Sequence, residues 1–250
     1  MSEEYVHRWI DGSAMDRPVG KIVCVGRNYA DHARELGNEV PSQPLLFMKG
    51  ANALCSLHEP LVLPEGQGEV HHEVEMVVMI GKRLRGETDL ETIRYSIAAY
   101  GIGLDLTLRE VQARLKEKGQ PWERAKAFDG AAPVSGFVDA RGISVRQNLE
   151  VSLDINGETR QHGHTGQMLF PTFELLADIN RVFTLEPGDL VFTGTPPGWG
   201  RSWAAIPSPR DSAISCRCSG ACKTPRHKRR SDFSRDLSSD RDPSRSWSGP

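Results

Sequence analysis

Short apolar runs bounded by glycine, proline or charged residues dominate the first two hundred residues of this chain. Runs of about 4 to 8 apolar or β-branched residues with such boundaries predict strands. Six segments have this pattern, at 21–26, 44–49, 69–80, 96–107, 132–138 and 189–195. In 149–155 apolar residues alternate with polar ones and run into Asn156-Gly157, a dipeptide that favours a type I′ turn. This last pattern predicts a β-hairpin.

Helical spacing of apolar residues is rarer. The segment 107–119 has apolar residues three and four apart and ends at Gly119, which is typical of a helix stop. A second helix is predicted from Pro171 to Arg181, because proline is tolerated in the first turn of a helix. A shorter helix is predicted within 27–37. The pattern therefore indicates an α+β protein that is mostly β with a few helices, and no repeat of fixed period is present.

Composition and charge change sharply at Arg201. The residues before it contain 20 Lys and Arg against 28 Asp and Glu, whereas the residues from it onward contain 11 against 5. The later part is rich in Ser, Arg and Pro and has no apolar period, so it cannot bury enough surface to offset its ordering entropy. We therefore predict an N-terminal extension at 1–19, a catalytic domain at 20–199 and a disordered tail at 200–250.

The tail and the N-terminus also bear on partners and location. The basic run RHKRR is typical of nucleic-acid binding or nuclear targeting, but no aromatic-studded platform accompanies it, so nucleic acid is not the expected partner. The N-terminus opens with acidic residues, and no apolar run is long enough to span a membrane. We expect a cytoplasmic protein without a membrane partner.

Two carboxylates interrupt the apolar segment 69–80, EVHHEVEMVVMI. Glu73 and Glu75 are two residues apart in a predicted strand, so they share one face and lie roughly 7 Å apart. Such a pair either faces solvent on an edge strand or binds a divalent cation such as Mg²⁺ or Mn²⁺. Asp105 ends another apolar strand and is a candidate third ligand, although an Asp before a helix also interacts with the helix dipole.

Candidate catalytic residues lie elsewhere in the chain. His32 and Glu35 are three apart in a predicted helix, so Glu35 can fix the tautomer of an imidazole that acts as a general base on water. An exposed pair of this kind is otherwise simply solvated. Lys126 is a lone cation in a loop of small residues, and the turn FTGTPPG at 192–198 has amides that can bind an anion or merely reverse the chain.

The order of these motifs is more specific than any one of them. RNYxxHxxE, FxK, HHExE, LDxTxRxxQ, AKxFD, a hairpin and FTGTPxG follow one another between about residues 20 and 199. This series resembles the fumarylacetoacetate hydrolase family, and within it the small single-domain acylpyruvate hydrolases and oxaloacetate decarboxylases. The resemblance implies a mixed β-roll, a homodimer, and Mg²⁺ or Mn²⁺ held by Glu73, Glu75 and Asp105.

The resemblance also implies a reaction. It implies cleavage of a C–C bond in a small 2-oxo acid, by acylpyruvate hydrolysis, oxaloacetate decarboxylation or both, through a metal-bound pyruvate enolate. An isomerase or decarboxylase of homoprotocatechuate-type aromatic catabolism is the alternative within the family. In this interpretation His32, oriented by Glu35, activates water for hydrolysis, and Lys126 neutralises developing charge. The residues implied as substrate contacts are Arg27, Tyr29, Lys49, Arg109, Gln112, Gly194 and Thr195.

The sequence departs from this family after the TGTPxG turn. Relatives continue with Val-Gly-Pro, a Gly-Asp turn and further strands, whereas this chain continues WGRSWAAIPSPRD. Deleting one base from permitted codons for Gly-Val-Gly-Pro-Leu-Leu-Gly-Gly-Asp-Thr gives the residues from Gly198 to Pro207, so we hypothesise a frameshift. The terminal strands of the family fold are then expected to be missing, and an inactive product or a basic nucleic-acid binder is the non-enzymatic alternative. Sequencing the DNA around Gly198 tests this hypothesis.

Overall fold

A computed structural model describes residues 5–35, 37, 39–143, 149–198, 200–201 and 214–219. Its strands are β1 Ile22–Gly26, β2 Leu45–Lys49, β3 Leu54–Ser56, β4 Val70–His72, β5 Val74–Ile80, β6 Ile97–Leu104, β7 Thr107–Leu108, β8 Ala132–Val134, β9 Val138–Asp139, β10 Glu150–Ile155, β11 Glu158–His164, β12 Leu190–Phe192, β13 Gly200–Arg201 and β14 Ile214–Ser219. Its α-helices are α1 Ala30–Glu35, α2 Leu90–Tyr95, α3 Arg109–Glu117, α4 Glu123–Lys126 and α5 Thr172–Val182.

The main sheet has eight strands in the order β2-β1-β12-β5-β6-β8-β3, and β9 pairs with β6. The β1–β12 and β3–β8 pairs are parallel and the remaining pairs of this sheet are antiparallel, so the sheet is mixed. Two smaller sheets have the orders β11-β10-β14 and β13-β4-β7. The predicted mostly β class with a few helices is confirmed.

Strand β5 lies in the middle of the main sheet and is buried along its whole length. Its even-numbered residues, including Val74 and Val78, belong to the larger apolar cluster. Val77 and Met79 belong to the second cluster on the opposite face. A central strand that is covered on both faces has apolar residues at nearly every position, which is why apolar and polar residues do not simply alternate in segment 69–80.

Most predicted elements are confirmed, with changes at their ends. The predicted strand at 69–80 divides at Glu73, because β4 leaves the main sheet to pair with β7 and β13. The predicted strand at 96–107 ends earlier, at Leu104, and 132–138 likewise divides into β8 and β9. The hairpin is confirmed, since Asn156 and Gly157 have φ of 54° and 80°, as a type I′ turn requires.

The helices predicted at 107–119 and 171–181, and the short one within 27–37, are present as α3, α5 and α1. The short elements β3, α2 and α4 were not predicted, because three to six residues contain too little of a helical or strand period. No helix in the described ranges combines the length and the apolar character that crossing a membrane requires.

The predicted N-terminal extension packs against the main sheet over its described residues. Ile10 N donates to Phe137 O and Phe137 N donates to Arg8 O, each at 2.9 Å. Met15 is buried and belongs to the second apolar cluster together with Phe137. This segment therefore contributes backbone pairing and core surface to the domain that follows it.

Two strands occur within the predicted tail. β13 pairs with β4, and β14 pairs with β10 along the whole of Glu150–Ile155. These segments differ from the disorder predicted for the tail, because β4 and β10 offer backbone edges with which they pair. The other tail residues lie outside the described part of the chain, and for them disorder stays a prediction.

Candidate active site

Three acidic side chains converge where β5 and β6 pair. Glu75 lies in β5, Glu73 immediately precedes it, and Asp105 immediately follows β6. The antiparallel pairing continues past the strand ends, because Asp105 N donates to Glu73 O at 2.8 Å. One carboxylate oxygen from each residue lies within 4.8 Å of the others, and the residues are only 5%, 2% and 1% exposed in chain order Glu73, Glu75, Asp105.

Three cations surround two of these carboxylates. Lys126 Nζ donates to Glu73 Oε2 at 2.8 Å and to Asp105 Oδ2 at 2.6 Å. Lys49 Nζ lies 2.8 Å from Asp105 Oδ1, and Arg109 Nη2 donates to Glu73 Oε1. Lys126 ends the short helix α4 and is 3% exposed, so it is a buried ion-pair partner and not a solvated loop cation.

The two glutamates differ in their electrostatic environment. Burial alone would raise the pKa of Glu73, but the adjacent Lys126 and Arg109 hold it well below its usual value. Burial and the neighbouring charges of Asp105 and Glu73 raise the pKa of Glu75 well above its usual value. Glu75 Oε2 accepts a hydrogen bond from Gly194 N at 2.6 Å, and no cation of the described residues forms an ion pair with it.

This group of oxygens fits a hard divalent cation. Carboxylate oxygens are the ligands that Mg²⁺ and Mn²⁺ prefer, and three of them are gathered within the reach of one ion. A dication also removes the cost that burial and like charge impose on Glu75, since an opposite charge at short range favours the ionised form. His71 and His72 point elsewhere, because His71 Nδ1 accepts from Arg109 and His72 Nδ1 contacts Gln161.

A cavity opens onto the acidic cluster. Its lining contains Val25, Gly26, Arg27, His32, Phe47, Glu73, Glu75, Arg109, Gln112, Lys116, Trp122, Lys126 and Thr195. The structure thus brings most of the predicted catalytic, substrate-binding and metal-binding residues to one cavity. Five other predicted residues do not line the cavity, namely Tyr29, Glu35, Lys49, Asp105 and Gly194.

His32 lies on the cavity wall, whereas Glu35 does not. Burial lowers the pKa of His32, although Glu73 opposes the shift, so the imidazole is neutral at neutral pH and able to accept a proton. Glu35 is exposed, and both of its carboxylate oxygens lie 3.3 Å from the donor Gly198 N. The orientation of His32 by Glu35 therefore stays a prediction.

Three predicted substrate contacts have structural roles outside the cavity. Gly194 presents its N–H to Glu75 and has φ of +94°, with Asn28 so close that a Cβ at this position would lie 2.6 Å from its side chain. Lys49 Nζ is buried among Asp105 and backbone carbonyls. Tyr29 is 1% exposed in the larger apolar cluster.

Arg27, Gln112 and Thr195 do line the cavity. Arg27 has φ of 59°, a left-handed conformation that a non-glycine residue adopts at a cost and that often marks a functional site. Arg109 Nη1 donates to Gln112 Oε1 at 2.9 Å across one turn of α3. Thr195 Oγ1 donates to Val74 O at 2.9 Å, which ties the predicted FTGTPPG turn to β5.

Several residues around this cavity were not predicted as site residues, among them Gln161, Phe47, Lys116 and Trp122. Gln161 in β11 joins Thr195 and Val74 by side-chain hydrogen bonds of 2.8 and 2.9 Å, and no local motif marks it. Phe47, Lys116 and Trp122 line the cavity. The sequence held a signal for two of these residues: Phe47 stands in the FxK motif, and Lys116 follows Arg109 by seven residues and therefore shares its helix face.

The chain is similar to a known family and to several known proteins. The family model described as Fumarylacetoacetate (FAA) hydrolase C-terminal matches residues 21–225. The oxaloacetate tautomerase YcgM of Escherichia coli K12 is 51% identical over 195 residues, covering 78% of this chain and 88% of that protein. The mitochondrial oxaloacetate decarboxylase of Dictyostelium discoideum is 41% identical over 181 residues, covering 72% and 83%. Fumarylpyruvate hydrolase from Pseudomonas aeruginosa, solved with Mn²⁺ and pyruvate, superposes with a TM-score of 0.77 at 36% identity, covering 87% of this chain and 93% of that chain.

Proposed function

The chain belongs to the fumarylacetoacetate hydrolase family, and from this premise we propose that it is a Mg²⁺- or Mn²⁺-dependent enzyme that cleaves a C–C bond in a small 2-oxo acid. The observation that carries the proposal is the buried cluster of Glu73, Glu75 and Asp105, of which both glutamates line a cavity together with several cationic side chains. Relatives named for oxaloacetate and fumarylpyruvate support this substrate class.

The residues of the cavity supply complementary parts of the reaction. When held by Glu73, Glu75 and Asp105, the cation supplies the positive charge that makes the pyruvate unit of a 2-oxo acid an electron sink. Lys126 lines the cavity beside two of these carboxylates, at 2.6 and 2.8 Å, and from there offsets negative charge that develops on the enolate oxygen. Gln112 and Arg27 orient the substrate from the cavity wall.

His32 acts on water in the hydrolytic reaction. Its neutral imidazole takes a proton from a water molecule that attacks the distal carbonyl of an acylpyruvate. The C–C bond next to that carbonyl then breaks, its electron pair forms the pyruvate enolate, and a proton converts the enolate into pyruvate. Oxaloacetate needs no water attack, because loss of CO₂ leaves the same enolate.

Tautomerisation of oxaloacetate is the second candidate function. The observation that favours it is the name of the E. coli relative, which is 51% identical to this chain. Interconversion of the keto and enol forms moves one proton between carbon and oxygen and breaks no C–C bond. A neutral base on the cavity wall, such as His32, is suited to this transfer as well.

A substrate panel on purified, folded protein tests both proposals. Acetylpyruvate, fumarylpyruvate and oxaloacetate are supplied with Mg²⁺, and pyruvate is followed by a coupled dehydrogenase while the enol is followed by its ultraviolet absorbance. Pyruvate release that stops with EDTA and returns with Mg²⁺ supports C–C cleavage, and enol loss without pyruvate supports tautomerisation. Reactions without protein correct for spontaneous decarboxylation. Folded protein that is inactive on every substrate contradicts both candidates.

The family resemblance also suggests the oligomeric state and the location of the protein. We propose a homodimer in the cytoplasm, and size-exclusion chromatography with light scattering measures the oligomeric state. A role in aromatic catabolism is the alternative within the family, and inactivity caused by the altered C-terminus is the non-enzymatic one. Nucleic-acid binding through the basic tail predicts RNA affinity that falls steeply with salt, which a filter-binding titration measures.

A further inference from the structure

We propose that Lys116, with the aromatic wall formed by Phe47 and Trp122, selects 2-oxo acids that carry a second carboxylate at the end far from the acidic cluster. The inference rests on the proposed function, because it assumes that the 2-oxo group binds next to Glu73, Glu75 and Asp105. It assigns a specificity-determining role to a residue that none of the sequence motifs contains.

Helix α3 sets the distance between the two ends of the cavity. Arg109, Gln112 and Lys116 follow one another at spacings of three and four residues, so they share a face, and all three line the cavity. Arg109 lies at the inner end, where it donates to Glu73. Seven residues at 1.5 Å each place Lys116 roughly 10 Å farther along the helix axis.

Two aromatic rings connect these ends. Phe47 and Trp122 have ring centroids 6.0 Å apart. Lys126 Nζ lies 5.3 Å from the centroid of Phe47, and Lys116 Nζ lies 5.2 Å from the centroid of Trp122. An apolar surface thus separates an inner ammonium group from an outer one, which matches a carbon chain with an anionic group at each end.

The two ammonium groups differ in their partners. Lys126 is paired with two carboxylates, whereas Lys116 has no carboxylate partner among the described residues. Lys116 is half-buried, and burial together with the nearby positive charges of Arg27, Arg109 and Lys126 lowers its pKa to about 8. A half-buried cation near other cations is a favourable place for an added anion.

A simpler role for Lys116 is also open to test. Long basic side chains often cover aromatic surface with their methylene groups and keep the ammonium group in water. A lysine with only that role contributes to packing against Trp122 and has no preference for the charge of a substrate. Substrate pairs that differ only in distal charge therefore separate the two roles.

The first test compares fumarylpyruvate with crotonylpyruvate, which share the bond to be cleaved and the CH=CH unit, and in which a methyl group replaces the distal carboxylate. In Lys116→Met we expect kcat/KM for fumarylpyruvate to fall about tenfold or more, with kcat/KM for crotonylpyruvate within about twofold of wild type. Lys116→Arg retains the charge and is expected to retain the preference. Lys118→Met, at the exposed end of the same helix, is the matched control and leaves both values unchanged. Equal effects on both substrates, or no effect on either, overturn the proposal.

The second test needs no turnover. Titration calorimetry with Mg²⁺ present compares 2-oxoadipate with 2-oxohexanoate, which have the same carbon chain and differ in the distal carboxylate. We expect wild type and Lys116→Arg to bind 2-oxoadipate more tightly, and Lys116→Met and Lys116→Gln to bind both equally. If wild type releases no pyruvate from acylpyruvates or from oxaloacetate but has this preference, the proposed function fails and the inference stands. If it cleaves both acylpyruvates and the variants leave the preference unchanged, the inference fails and the function stands.

Discussion

Glu75 is the acidic residue of the cavity that forms no ion pair within the described part of the chain. Its two neighbours share Lys126, and each has a further cation of its own. The consequence is a carboxylate whose pKa is raised by burial and by Asp105 and Glu73, so it destabilises the metal-free protein when ionised. A bound dication reverses this effect, which makes Glu75 the most direct test of the metal site.

Glu75→Gln removes the charge and keeps an oxygen that accepts the hydrogen bond from Gly194 N. We expect the metal-free variant to be as stable as wild type or more stable, because it no longer buries a carboxylate near two others. Its affinity for Mg²⁺, measured by calorimetry, is expected to fall at least about tenfold, and the metal-dependent rise in Tm is expected to vanish. Glu91→Gln, on the exposed surface of α2, is the control. Unchanged Mg²⁺ affinity in Glu75→Gln would contradict the proposed metal site.

The role of His32 can be tested by comparing a reaction that uses water, acylpyruvate hydrolysis, with one that does not, oxaloacetate decarboxylation. If its imidazole activates water, His32→Gln lowers kcat for acylpyruvate hydrolysis about 10²- to 10⁴-fold, the usual contribution of a general base. Decarboxylation of oxaloacetate uses no water and is expected to stay within about tenfold of wild type. Both rates are measured as pyruvate release, with the exposed His58→Gln as control. An equal loss in the two reactions contradicts a role in water activation.

Strands β4 and β5 explain how an acidic pair is tolerated in an apolar segment. β5 is covered on both faces, so the solvent-facing alternative for Glu73 and Glu75 does not apply. The break at Glu73 sends β4 to a different sheet, while Glu73 and Asp105 stay paired beyond the ends of β5 and β6. The acidic residues gather at this point, where Arg109 of α3 pairs with Glu73 and Lys126 of α4 pairs with both Glu73 and Asp105.

Strand β14 covers an edge that would otherwise be open. It pairs with six consecutive residues of β10, whose other edge is occupied by β11. An uncovered edge presents unpaired backbone groups and favours aggregation.

Two shortened chains test this contribution. A chain that ends at residue 220 keeps β14 and is expected to unfold within about 2 °C of the full-length protein. A chain that ends at residue 209 lacks β14 and is expected to lose more than about 4 °C in Tm, since about 1 kcal/mol corresponds to 2–4 °C at this size. Circular dichroism melts measure both. Equal melting temperatures would show that β14 adds no stability.

His7 connects the N-terminal segment to the rest of the domain. It is completely buried, and its Nδ1 lies 3.2 Å from the hydroxyl of Tyr5. Burial lowers its pKa, although the nearby backbone of Gly188 and Pro18 opposes the shift. The neutral form is therefore favoured in the folded protein. In the unfolded chain the same histidine binds a proton near pH 6.5.

The sign of the resulting pH dependence follows from this difference. Between its lowered folded pKa and pH 6.5 the unfolded chain binds more protons, so the contribution of His7 to stability is complete above pH 6.5 and is lost as the pH falls. Glu75, with a raised pKa, acts in the opposite direction, so the effect of His7 must be isolated by substitution.

We expect wild type to lose more free energy of unfolding between pH 7.5 and pH 5.5 than His7→Gln does. Urea titrations at both pH values measure the free energy of unfolding. His58→Gln, at an exposed histidine, is the control and is expected to lose as much free energy of unfolding between the two pH values as wild type does. An identical change in the free energy of unfolding in wild type and His7→Gln would contradict a neutral, buried His7.

Local patterns predicted the elements whose conformation depends on neighbours in sequence. Asn156-Gly157 predicts its turn because both residues adopt positive φ readily, and α3 is predicted because its apolar residues recur at helical spacing. The ordered motifs further predicted which acidic and basic residues belong to the site. The structure brings most of them to one cavity, whereas it places Tyr29 in the core and Lys49 beneath Asp105.

Features that depend on contacts between distant segments could be identified only from the tertiary structure. Gln161 joins a hairpin to β5 and Trp122 faces Phe47, although neither residue has a local signature. The same is true of the division at Glu73 and of the pairing of β14 with β10, because strand partners are chosen by long-range packing. Turn geometry and helical period act over a few residues of chain, and a sequence records them directly. The charge environment of Glu75 and the position of Lys116 along an aromatic wall arise only when several segments approach each other in space.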